Sequence, residues 1–205
     1  MTEAWSVLRA ALRDTWDDLF TTAVCNLLWL FFNLVLVTGP PATVALFYYA
    51  NRLAHGEPTG VGDFLRAVRR YFGVGWRWGL VNGVLLFLLV GDVILTGQLS
   101  QSAGARLAQG FFLAGLLAWL LLQLYTLPFL FEQETPSVRL ALRNGAAMLG
   151  NNLLFSVALG VWLGGILLLG TLLFMLSLAA GSVFLALVGN HAVLNRLNAY
   201  GDVKR

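Results

Sequence analysis

Arginines recur in pairs four residues apart at three places in the chain: Arg9 and Arg13, Arg66 and Arg70, Arg139 and Arg143. On a helix that spacing puts two guanidinium groups on one face, suited to lipid phosphates or an acidic partner. Each pair lies in a segment of related pattern: LRAALRD (8–14), LRAVRRY (65–71) and VRLALRN (138–144). Shared ancestry and the common demands of an interfacial helix both account for the match. A second polar set, Asn33, Asn82, Asp92 and Gln123, lies inside apolar runs, where polar groups are costly. These four are the candidates for lining a solute pathway; bonding between helices is their plainer role. Asp92 stands about 22 Å along its helix from Arg77, and Arg106, across the next turn, is its expected ion-pair partner.

Other chemistries find no residues. The chain has no HExxH, no G-x-S-x-G, no P-loop and no paired carboxylates on one helix face. His55 and His191 stand apart from any cysteine or carboxylate cluster, so no metal site is expected. The reading assigns no catalytic, cofactor-binding or metal residues and does not favour an enzyme. The arginine segments lack the interleaved aromatics of single-strand binders, so nucleic acid is not an expected partner. Cys25, the single cysteine, sits in an apolar run and excludes an intrachain disulfide. No A-x-A site follows the first apolar run, and Glu3, Asp14, Asp17 and Asp18 mix with the early arginines; a cleaved signal peptide is not expected.

Composition names the solvent for the elements that carry these residues. Of 205 residues, 59% are hydrophobic and 11% charged, with a mean hydropathy of +0.77. Soluble domains carry about 25% charged residues. Barrel strands alternate polar and apolar residues, whereas these runs are apolar all round. The expected fold is an all-α, polytopic transmembrane bundle forming one domain over 1–205.

The expected order starts with an amphipathic helix (1–19) whose apolar face is Trp5, Leu8, Leu12, Trp16 and Leu19. A first hairpin (20–54) turns at Thr38, Gly39, Pro40 and Pro41, where proline and glycine end one helix and start the next. Its second arm, 41–54, is about 20 Å long against a roughly 30 Å hydrocarbon core. It crosses only by borrowing Asn51 to His55, or it is re-entrant. A second amphipathic helix (62–73) and hairpin (74–131, broken near Pro128) follow, then a third helix (135–149) and hairpin (152–197). The last hairpin is charge-free from Leu153 to Gly189, with its turn expected near Ser177 to Gly181. Small residues four apart (Gly75, Gly79 and Gly83; Gly110, Ala114 and Ala118; Ser156, Gly160 and Gly164) mark expected packing faces.

Basic residues orient the chain. With six crossings, Arg9, Arg13, Arg52, Arg66, Arg69, Arg70, Arg77, Arg139, Arg143, Arg196, Lys204 and Arg205 share one side with both termini. Arg106 alone lies opposite. Five crossings weaken the split to ten against three and put the N-terminus outside. Six spans with both termini in the cytoplasm is the reading; five is the alternative.

The run NLLWLFFNLVLVTGPPATVALFYY, with FLRAVRRYF and TLPFLFEQETPSVRLALRNGAAMLGNN, resembles the YesL-like family of bacterial membrane proteins. That family has a tryptophan-bearing first span ending in a Thr-x-Gly-Pro-Ala-like turn; here threonine directly precedes glycine and a second proline is present. Phe64, Arg66, Arg69 and Arg70 match its basic loop, and Pro128 its later proline. The resemblance implies a cytoplasmic-membrane protein of unknown function, often encoded beside carbohydrate uptake and degradation systems. An accessory or scaffold component linked to carbohydrate uptake is therefore expected, with a small solute transporter or channel as the alternative. The expected partners are membrane lipid and a membrane transport complex or cytoplasmic protein.

Overall fold

A computed structural model describes residues 2–99, 102–172 and 174–203. Among them are nine helices and no strand: α1 Thr2–Asp17, α2 Leu19–Leu34, α3 Gly39–Ala54, α4 Val61–Arg70, α5 Phe72–Leu99, α6 Ala103–Phe129, α7 Val138–Asn151, α8 Leu153–Leu172 and α9 Phe174–Val203. They group in threes. Each group is a leading helix, a one-residue joint (Asp18, Tyr71 or Asn152), an outgoing helix and a returning helix.

Packing repeats with the same period. The returning helices α3, α6 and α9 touch one another at the centre. Each leading helix packs on the returning helix of the preceding group: α4 on α3, α7 on α6, and α1 on α9. Two outgoing helices do likewise, α5 on α3 and α2 on α9, whereas α8 touches α6 lightly and packs more on α9. The third group thus closes on the first, and the three recurring segments of the sequence become three equivalent places in a ring.

The first leading helix buries only part of the face expected of it. In α1, Ala4, Val7, Leu8 and Ala11 are buried, while Trp5, Leu12 and Trp16 are exposed. In α4, Phe64, Ala67 and Val68 are buried and Leu65 is exposed; in α7 the buried set is Ala141, Gly145 and Met148. Small side chains among them let these helices come close to a neighbour. Of the face expected for α1, Leu8 is buried and Trp5, Leu12, Trp16 and Leu19 are left exposed.

The Thr38–Pro41 turn forms as expected. Thr38 Oγ1 donates to the carbonyls of Phe32 (2.7 Å) and Val35 (3.1 Å), and the prolines occupy the first turn of α3, where a missing amide costs nothing. A Cβ on Gly75 would lie 2.6 Å from Pro41 Cα, and one on Gly79 2.6 Å from Pro40 Cβ. The α5 stripe therefore receives the turn, although Gly83 faces open space. Gly160 meets Leu121. The expected α6 stripe is not an internal seam: Gly110 faces open space, and Ala114 and Ala118 are exposed.

Pro128 does its work one turn back. Lacking an amide hydrogen, it leaves the Leu124 carbonyl without its usual helical donor. Gly189 of α9 fits there, its would-be Cβ 2.7 Å from that oxygen.

Two boundaries differ from expectation. Residues 177–181 are helical rather than a turn: α8 runs to Leu172 and α9 begins at Phe174. The signal that misplaced it is real, because the amides of Ser182 and Val183 donate to Asn26 Oδ1 at 2.9 and 3.3 Å. Second, among the described residues three helices are long and apolar enough to cross a membrane, fewer than the six spans expected: Phe72–Gln98, Ala103–Phe129 and Leu153–Gly170. Leu19–Leu34 is apolar but shorter. This is a helical membrane protein.

Candidate functional site

At the end of the ring that carries the joints, a cleft of about 480 Å³ opens between α3, the α4–α5 joint and the segment after α6. Tyr48, Tyr71 and Phe131 form its aromatic wall, with ring centroids 5.3–5.5 Å apart. Arg70 lies over the Tyr71 ring and Arg52 over the Tyr48 ring. Arg52 is also held by Glu57 (3.0 Å) and the Pro58 carbonyl (3.1 Å). Glu134 and Gln133 line the far side.

Behind this wall lies a polar node built on the returning helices. Asn51 Nδ2 donates to Glu132 Oε1 (2.8 Å) and Asn190 Oδ1 (3.0 Å). Asn190 in turn donates to the Ala186 carbonyl at 2.9 Å, and His55 Nε2 approaches Glu132 at 3.6 Å. One node thus joins α3, α9 and the end of α6, where buried polar groups need such partners. A second set fastens α1: His191 Nε2 meets Asp14 Oδ2 at 2.6 Å, and Arg196 meets Glu3 at 2.6 Å while lying over Phe155. Tyr49 donates to Asp18 across the first joint at 3.0 Å.

Sequence reasoning assigned no partner to Asp14, Asn26, Asn51, Glu132, Asn190 or His191. Their signal is polarity at the ends of apolar helices, and their partners lie between 81 and 177 positions away.

All six paired arginines are exposed. Arg9 lies over Trp5, Arg13 is 3.5 Å from Asp14, and Arg66 bonds Asp63 at 2.6 Å. That bond and the Gly60 amide hold the Asp63 carboxyl below its ordinary value, despite partial desolvation. Arg139 and Arg143 project from α7.

The four intramembrane candidates do not converge. Asn33 donates to the Trp29 carbonyl of its own helix at 2.8 Å. Asn82 and Gln123 share the α5–α6 seam as reciprocal acceptors: Trp119 donates to Asn82 and Trp78 to Gln123, both at 2.9 Å. Gln123 Nε2 is buried without a partner among the described residues. Among the described residues Asp92 forms no ion pair with Arg106; Thr96 Oγ1 donates to its backbone carbonyl at 2.6 Å. Its depth explains this, since Asp92 lies about 30 Å of helix rise beyond Phe72, one full hydrocarbon thickness away.

One family model matches the chain. Residues 22–93 are similar to the family described as "Protein of unknown function, DUF624". The matched stretch holds α2, α3, α4 and most of α5, including the turn, the glycines that receive it and two sides of the cleft. No curated protein and no solved structure matches the chain.

Proposed function

We propose that the protein is a multi-pass component of the bacterial cytoplasmic membrane, with both termini and the cleft on the cytoplasmic side. It serves there as an accessory or scaffold for a membrane transport complex. The observation that carries this reading is the equivalent placing of α1, α4 and α7 around the ring, which exposes six arginines, with Arg70 of α4 also lining the cleft. Guanidinium groups so placed fit anionic headgroups and the acidic surface of a partner. The charge count supports the orientation: three out-and-back pairs keep twelve of the thirteen basic residues on one side. Six crossings satisfy that count, and so does any arrangement in which a pair enters and leaves by the same face.

The link to carbohydrate uptake rests on the YesL-like turn and basic loop. A solute pathway would need Asn33, Asn82, Asp92 and Gln123 to meet, and their separate bonds favour the accessory role over a transporter. The same lack of a nucleophile, base or metal cluster in the sequence keeps an enzyme out of the proposal.

The test is purification of the tagged protein from native membranes in mild detergent, followed by partner identification. Transport proteins should co-purify, and charge reversal of Arg66, Arg70, Arg139 and Arg143 should reduce their yield. Recovery of the chain alone at every detergent strength contradicts the proposal.

A further inference from the structure

The first hairpin and the second do not reach the same depth. The Thr38–Pro41 turn sits on the first two turns of α5, with Pro41 against Gly75, Pro40 against Gly79, and Trp76 Nε1 donating to the Val37 carbonyl at 3.0 Å. At the other end of the same contact Tyr71 meets Tyr48, so α3 and α5 run antiparallel in close register. Beyond Gly79, α5 continues for twenty residues, 80 to 99. At about 1.5 Å per residue the stretch from Gly79 to Asp92 alone is roughly 20 Å, so the turn stops about 10 Å into a hydrocarbon core of about 30 Å. A bilayer crossed by α5 and α6 is therefore not also crossed by α2 and α3.

The structure assigns α2–α3 as a re-entrant wedge, entering from the arginine side and turning within the bilayer, its outer face bedded in the acyl chains of that one leaflet. The apolar surface is continuous from the first joint to the turn: Phe20 is 82% exposed, Leu34 85% and Leu36 83%, with Leu27 and Phe31 between them. Its other side is filled by protein, since ten of the sixteen α3 residues are buried. That cover explains how so short a helix is tolerated. Backbone that leaves the helical pattern at membrane depth needs internal partners, and the Thr38 and Trp76 bonds supply them at the turn. A wedge that returns to its own side leaves every arginine where the six-crossing count puts it, so charge counting alone does not separate the two topologies.

The wedge rests on the reading that α5 and α6 cross with the joints in the cytoplasm, and the experiment tests the two separately. Single cysteines at Leu36 and Gly104 are compared in intact cells with a membrane-impermeant maleimide, the buried native Cys25 serving as background. Leu36 is exposed and a Cβ added at Gly104 meets open space, so Leu36→Cys and Gly104→Cys disturb no packing. The expected result is external labelling at 104 and none above background at 36. A spin label at 36 in liposomes should be relaxed strongly by oxygen and weakly by a nickel chelate, the reverse of a label at 104. External labelling at both positions, or nickel accessibility at 36, overturns the wedge while leaving the crossing of α5 and α6 intact. Labelling at 104 only after permeabilisation overturns that crossing, and the wedge with it.

Discussion

Helices α3 and α5 pack along each other, yet they solve opposite problems. Helix α3 is short, ends in Asn51 and Arg52, and is surrounded by protein; α5 is long, and its apolar window has no buried residue. The polar groups of α3 are spent on named partners, whereas α5 and α6 meet along a long, mostly apolar seam that holds two indole–amide bonds and one from Gln109 Nε2 to the Val93 carbonyl (3.3 Å). Length and hydropathy describe a helix that faces lipid. They describe poorly one that faces other helices, so the most buried segment of the chain looked like the weakest span.

The sharpest way to break that comparison is to fill the contact between the two helices. Gly75→Ala sets a Cβ against the Pro41 backbone, which has no side-chain freedom to yield. A loss of about 1–3 kcal/mol is expected, read as a fall in the thermal unfolding midpoint of the detergent-purified protein. Gly91→Ala, which faces open space on the same helix, should stay within about 0.5 kcal/mol of the parent. Equal effects at 75 and 91 would mean that the turn is not seated on α5.

The next effect belongs to the node. Asn51→Leu removes the donor shared by Glu132 and Asn190 and strands both acceptors, at a cost of about 1–3 kcal/mol. In a double-mutant cycle with Asn190→Leu the losses should be far from additive, because one network is broken twice. Additivity would show the two residues to be independent. The lipid-facing seam should respond less: Trp119→Phe deletes the bond to Asn82, and such interhelical bonds average about 0.6 kcal/mol.

The smallest effect is pH-dependent. Asp63 ionises more readily in the folded protein because Arg66 and the Gly60 amide stabilise its carboxylate. Its contribution to holding the start of α4 is therefore complete above the unfolded value of 3.8 and is lost as pH falls through the lower folded value. Exposure to solvent keeps it small. Hydrogen exchange in residues 60–66 should rise at acidic pH in the parent and be insensitive to that change in Asp63→Asn.

Much of the scaffold was legible in the chain because its signals are local. The Thr-Gly-Pro-Pro turn, the Gly75 and Gly79 stripe and the three arginine segments all fell where residue spacing put them. Partners were not legible, since Asp14 and His191, or Asn26 and Ser182, are joined only by the closure of the ring. The α1 face was legible only in part for a physical reason: in lipid Trp5, Leu12 and Trp16 are free to point outward, while Ala4 and Ala11 pack beside Leu8. Asp92 and Arg106 were paired on proximity in sequence, while depth places Asp92 near the far surface, where a carboxylate needs no partner.

The central claim is that the three leading helices lie at one end of the ring, on the cytoplasmic side. Cysteines placed singly at Arg13, Arg66 and Arg143 test it in intact cells with an impermeant thiol reagent. All three should resist labelling until the membrane is opened and then react together. External labelling at any one of them would contradict the ring.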